Sequence, residues 1–146
     1  MDLNTFNSRL AKIIKDFPVI VSDNVKKTDN LAIDEVQAQL WEGEDSLGNK
    51  LQAYLNANYK QYKLSKNPKG VTDLKDTGDF WRGMYINSLI VEGNTIIIEI
   101  YSKDKKAFEL TEKYGMDIWG LKDERLDEYV KELGNYVLES IYKALE

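Results

Sequence analysis

Apolar residues near the start of the chain recur at spacings of three and four. Leu3, Phe6, Leu10, Ile13, Ile14 and Phe17 fall on one side of a helix over residues 3–17. Asp2 suits the N-cap, and Pro18, with no N–H to donate, is expected to end the run. Val19, Ile20 and Val21 read as a short strand or as a continuation of the helix, and the polar residues 22–30 read as loop. Helical spacing returns over 31–40, with Ile33, Val36 and Leu40 turned inward. An acidic, glycine-punctuated loop follows from Glu42 to Asn49. Residues 50–64 are compatible with a helix carrying Tyr54, Tyr59 and Tyr62, and residues 65–70 read as loop.

Residues 76–85 predict a short capped helix. Asp76 or Thr77 would accept from its first free N–H groups, with Phe80 and Met84 sharing a face. Ile86 to Glu92, Gly93-Asn94, then Thr95 to Tyr101 is a hairpin pattern, with Ile96, Ile98 and Ile100 on one face. A short helix is expected over 104–113, then a loop between Gly115 and Gly120 that carries Ile118 and Trp119. The last helix starts near Asp123, with a stripe of Leu126, Val130, Leu133, Val137, Ile141 and Leu145 flanked by Tyr129 and Tyr136. Gly134 inside it costs about 1 kcal/mol relative to Ala, which suggests close packing there. Helices, a central antiparallel hairpin and a long C-terminal amphipathic helix make a single α+β domain over 1–146.

The composition narrows the chemistry. The 146 residues include no Cys and no His. That removes disulfides, thiolate nucleophiles, zinc sites of the usual kind and every His-based catalytic arrangement. Carboxylates, a tuned Lys or Tyr, or no reaction at all remain. The formal charge is −5. Residues 109–146 hold ten acids and five bases and account for the whole excess. By contrast, Lys60, Lys63, Lys66, Lys69 and Lys75 stand against Asp73 alone in residues 60–75. The acidic balance argues against a dedicated nucleic-acid binder. No run approaches the ~20 apolar residues of a membrane span, and the start, Met1-Asp2-Leu3-Asn4, does not read as a signal peptide.

Four features could carry chemistry. Asp76-Thr77-Gly78 matches the triplet that holds a catalytic carboxylate in aspartic proteases, but it runs into Phe80-Trp81-Arg82 and has no second copy, so a helix-capping turn is the better reading. Glu42, Glu44 and Asp45 offer oxygen ligands for Ca²⁺ without the regular spacing of an EF-hand, and read as a solvated loop. Tyr59 and Tyr62 interleave with Lys60 and Lys63, which suits phosphate and base contacts or an acidic protein partner. Trp41, Trp81 and Trp119 are core aromatics by default and interface anchors otherwise.

The order of these signals resembles the tailed-phage virion-morphogenesis and tail-completion proteins, the Mu-type and lambda-like neck and minor tail components. The match runs over residues ~40–146 through Trp41, Asp45-Ser46-Leu47-Gly48 and Tyr59-Lys60-Gln61-Tyr62-Lys63. It continues through Asp73-Leu74-Lys75-Asp76-Thr77-Gly78-Asp79-Phe80 and Ile118-Trp119-Gly120-Leu121-Lys122-Asp123-Glu124. Gly83 stands where the family often has Ser, and the Pro-Arg-Pro-type lead-in to the last turn is missing. The resemblance implies a structural protein of the virion neck or tail, in the host cytoplasm during assembly, without catalysis, cofactor, metal or membrane. Its partners would be copies of itself in a ring, commonly hexameric, other neck or tail proteins, and DNA in passage. The implied contact residues are Trp41, Phe80, Trp81, Trp119, Lys60 and Lys63, with Asp76, Thr77 and Gly78 shaping the turn. An acidic last helix could line a lumen without holding DNA. The alternative is a small nucleic-acid-binding accessory protein using residues 59–75; a carboxylate-based hydrolase stands third.

Overall fold

In a computed structural model that describes Met1–Glu146, the first helix does not stop at proline. α1 runs from Leu3 to Lys27 with Pro18 inside it. Asp2 caps it, its carboxylate accepting from the Thr5 N–H at 2.8 Å. A proline inside a helix costs about 3 kcal/mol through its lost hydrogen bond and ring clash. Here the apolar face continues across it, and Val21 and Val25 are buried beyond it. Burying side chains of that size stabilises by about 1.5–3 kcal/mol each, so packing overrides the local break. The expected loop over 22–30 is therefore helix, apart from Thr28. The Thr28 hydroxyl donates to the Asn24 carbonyl at 2.6 Å and turns the chain directly into α2, Asp29–Trp41. Val36 and Leu40 are buried there as the spacing predicts, with Ile33 packed at the margin.

Residues 50–56 are not helical. Leu51 is buried and its N–H donates to the Gly43 carbonyl at 2.8 Å. Asn56 then starts α3, Ala57–Lys66, by accepting from the Tyr59 N–H at 3.0 Å. The reading of residues 50–64 as one helix was seven residues early, because Asn56 is a strong cap with a helix-compatible run on both sides. α4 is the single turn Asp79–Arg82.

β1, Met84–Glu92, and β2, Thr95–Ser102, form a two-stranded antiparallel sheet. A bulge at Asn87 shifts the register between Ile86 and Ser88. It lets Met84 and Ile86 before it, and Leu89 and Val91 after it, face the same side as Ile98 and Ile100. Burial falls toward the Gly93-Asn94 turn, where Ile90, Ile96 and Ile97 are exposed. α5, Ala107–Tyr114, and a 3-10 turn at Met116–Trp119 lead to α6, Asp123–Leu145.

α6 closes the core against α1. The Arg9 guanidinium donates to the Leu145 carbonyl at 2.8 Å, and the Asn24 amide to the Ser140 hydroxyl at 3.0 Å. Its buried face is Tyr129, Leu133 and Val137, whereas Leu126 and Val130 of the expected stripe are exposed. The large ring of Tyr129 takes the inner position and rotates Val130 outward. A Cβ on Gly134 would meet nothing, so this glycine serves no close approach. The Tyr129 hydroxyl is buried without a partner, and burial raises its phenol to about 12. Tyr129→Phe removes an unmet polar group from the core and is expected to raise stability by up to about 1 kcal/mol in urea unfolding. The fold is thus α+β, and no helix is long and apolar enough to cross a membrane.

Candidate functional site

Trp41, Lys63, Lys75 and Trp81 converge on one corner, at its centre a buried charge. Lys63 is 2% exposed and Asp73 is fully buried. The Lys63 ammonium donates to the Asp73 carboxylate at 2.8 Å and also to the Lys75 carbonyl. The same carboxylate accepts from the Asn67 amide at 3.0 Å and from the Lys75 N–H at 2.9 Å. Asn67 reaches on to the Trp41 carbonyl at the end of α2, at 3.1 Å. One buried carboxylate therefore joins α2, α3 and the 73–75 loop.

The clamp holds a strained residue. Leu74 is the one non-glycine residue with positive φ, at 58°. That conformation costs roughly 1–2 kcal/mol for a residue with a Cβ. Bonds to the Lys75 N–H and carbonyl fix the backbone just after it, while Asp73 is anchored just before. The strain has a use in this fold. It turns Leu74 into the core and sends the Lys75 side chain out over two indoles. The Lys75 ammonium lies 4.8 Å from the Trp81 ring centre and 5.7 Å from that of Trp41. The two indoles meet edge to face at 6.3 Å, and the Trp81 N–H donates to the Asp73 carbonyl at 3.0 Å.

Beside this corner opens a cleft of about 520 Å³, with Tyr54, Tyr59, Leu74, Phe80, Leu110 and Tyr114 in its wall and Lys75, Asp76, Lys106 and Lys113 at its sides. Burial, then the charge of Asp73, pushes the Tyr54 phenol well above its usual range. Burial, then the Asp76 carboxylate, raises Tyr59 to about 12. Both phenols are donors at neutral pH and neither is a base. Asp73 is fully buried and its carboxylate accepts three hydrogen bonds from Lys63, Asn67 and Lys75, so it ties the corner together. The cleft thus presents phenol donors beside lysines and the carboxylates of Asp76 and Asp104.

Several expected site residues sit elsewhere than the surface. Lys63 neutralises Asp73 inside the protein and cannot reach DNA or an acidic partner. Phe80 and Trp119 are core residues: their rings pack at 5.3 Å, Tyr101 stacks on Trp119 at 4.8 Å, and the Trp119 N–H donates to Thr111 at 2.9 Å. Trp119 offers no contact face, and Phe80 meets the exterior only as part of the cleft wall. Trp41 and Trp81 are half-buried, and Lys60 is exposed. Gly78 takes φ +88 at the N-cap of α4, and the cap lacks a side-chain bond; the Thr77 hydroxyl accepts from the Asp79 N–H only at 3.3 Å. Asp76 does not cap but faces Tyr59. A four-residue turn needs φ > 0 before it more than it needs a capping oxygen.

The acids of the 42–49 loop are held by lysines. Glu42 pairs with Lys69 at 2.6 Å, and Glu44 with Lys122 at 2.5 Å and Lys50 at 3.1 Å. These bonds hold both carboxyls below the usual carboxylate range. Asp45 turns inward and accepts from the Leu47 and Asn49 N–H groups at 3.0 and 2.9 Å. No three acids cluster as metal ligands would. The sequence reading missed Asn67 and Gln39. Gln39 is fully buried on α2, donates to the Gly120 carbonyl and accepts from the Lys122 N–H, both at 2.9 Å. The signal for it was an amide three positions after inward Val36 and next to inward Leu40, on the same buried side of the helix. Compared with known proteins, the chain matches no family model, no curated protein and no solved structure.

Proposed function

We propose that this chain is a non-catalytic structural subunit of a tailed phage virion, working in head–tail joining or tail completion as one member of a ring. The order of motifs from Trp41 to α6 supports the choice of family. One observation supports the mode of action. β1 and β2 have no third strand, so each outer edge leaves a row of N–H and C=O groups without ladder partners. Exposed Ile90, Ile96 and Ile97 flank those edges at the tip. An open edge beside apolar side chains can add a neighbour's chain by strand contact, and a head-to-tail contact of that kind closes into a ring. The buried charges tie elements together, in keeping with a scaffold.

The second reading is a nucleic-acid-binding accessory protein. It is favoured by exposed Lys60 and Lys66 beside exposed Tyr62, with the Lys66 ammonium 5.6 Å from the Tyr62 ring. Two lysines of that tract, Lys63 and Lys69, are neutralised by Asp73 and Glu42, which weakens the patch. The test is negative-stain imaging with light scattering at rising concentration. Closed rings are expected, and Ile90→Lys with Ile97→Lys should abolish them while leaving the circular dichroism unchanged. A protein that never forms rings and binds single-stranded DNA with a steep salt dependence overturns the proposal for the second reading.

A further inference from the structure

The apolar side of α1 is covered unevenly. Val21 and Val25 are buried, as is Ile13 at one edge of that side. Toward the N-terminus the same side lies open: Leu3 and Ile14 are 72% and 68% exposed, and Phe6, Leu10 and Phe17 are 37–40% exposed. The Arg9 guanidinium bonds the Leu145 carbonyl at the end of α6, and Ile13, one turn on, is buried. At 1.5 Å per residue, Leu3 lies roughly 9 Å beyond Arg9, past the end of α6.

The uncovered residues have a symmetry of their own. Positions 3, 6, 10, 14 and 17 read the same in both directions about Leu10. At 100° per residue all five lie within one narrow stripe. Asn4, Asn7 and Ala11 border it on one side, and Lys12 and Lys15 point to the far face. We infer that a second copy of this chain covers the stripe, α1 packing against α1 about a two-fold axis through Leu10. Antiparallel pairing then sets Leu3 against the partner's Phe17, Phe6 against the partner's Ile14, and Leu10 against the partner's Leu10. This is the self-complementarity that a two-fold contact demands, and no like charges meet in it.

The area suffices. At about 200 Å² per fully exposed large residue, the five leave roughly 500 Å² open on each copy, or about 1,000 Å² across a pair. With all of it covered, the pair reaches the ~1,000 Å² floor of a specific interface. A two-fold contact cannot by itself close a larger ring, so this dimer stands apart from the hairpin contact and does not rest on the phage reading.

Sedimentation velocity on the full chain from micromolar to near-millimolar concentration tests it. A monomer–dimer equilibrium is expected. Phe6→Glu, at an exposed position that leaves the fold intact, should weaken it at least about 30-fold, as loss of a buried anchor does. The chain has no cysteine, so Leu10→Cys gives one thiol, which should oxidise to a covalent dimer. Val19→Cys, on the opposite face of α1, should not. A strict monomer, an association indifferent to Phe6→Glu, equal cross-linking from both thiols, or partition of α1 onto anionic vesicles in place of dimers each overturns the inference. Rings that survive Phe6→Glu would separate the two contacts.

Discussion

Lys63→Met is expected to lower the unfolding free energy by about 3–5 kcal/mol, because it leaves the Asp73 carboxylate buried without its counter-charge. The loss should be visible as a lower urea midpoint with little change in slope. The charge is the cause, so removing it from the other side should help. Lys63→Met combined with Asp73→Asn is expected to recover about 2 kcal/mol or more, since the new amide can still accept from the Lys75 N–H. Equal stability of the single and double variants would show that the pair acts through packing alone. Leu74 gives the prediction a second readout. Once the Lys63 bridge to the Lys75 carbonyl is lost, the left-handed turn has fewer bonds to hold it. Amide exchange near residues 74–76 should rise before global unfolding.

Gly43→Ala should be the most damaging change outside that network, at about 2–5 kcal/mol. Gly43 has φ +72, and a Cβ there would lie 2.6 Å from the Val71 Cβ. The left-handed conformation accounts for roughly 1–2 kcal/mol of the loss and the clash for about 1–3 kcal/mol. These parts can be separated. Val71→Gly, which removes the clashing Cβ, should return the clash component in the Gly43→Ala background, measured against Val71→Gly alone, and leave the backbone component. The residue matters because it is a joint: its N–H donates to the Leu40 carbonyl, and its carbonyl accepts from Leu51, both at 2.8 Å. A cost below about 1 kcal/mol would mean that the 71–72 segment can move away freely.

What could be read from the chain follows from the range of each signal. The hairpin was legible because its alternation and its Gly-Asn turn lie within twenty residues. The last helix was legible because its stripe repeats over six turns, although its register depended on whether Tyr129 or Val130 went inside, which size decides and spacing does not. Pro18 misled because a breaker acts locally, whereas the burial of Val21 and Val25 is supplied by α6 more than a hundred residues later. Lys63 misled for the same reason. Lysines at 60, 63 and 66 look like a solvated face, and nothing near them announces Asp73, which waits ten residues on in a loop beside a strained leucine. Asn67 looked like loop filler, though it links Asp73 to the end of α2.

The pairing of α1 with α6 has a consequence for how the chain comes into being. α1 is sealed by α6, which is made much later, so the core cannot close until α6 has been synthesised. The loop to be closed spans nearly the whole chain, the kind of contact that slows folding. Until α6 is released, α1 carries its entire apolar side bare, including Val21 and Val25. During that interval the nascent chain is a long amphipathic helix waiting for a partner, open to chaperones and to any neighbouring copy leaving the same message.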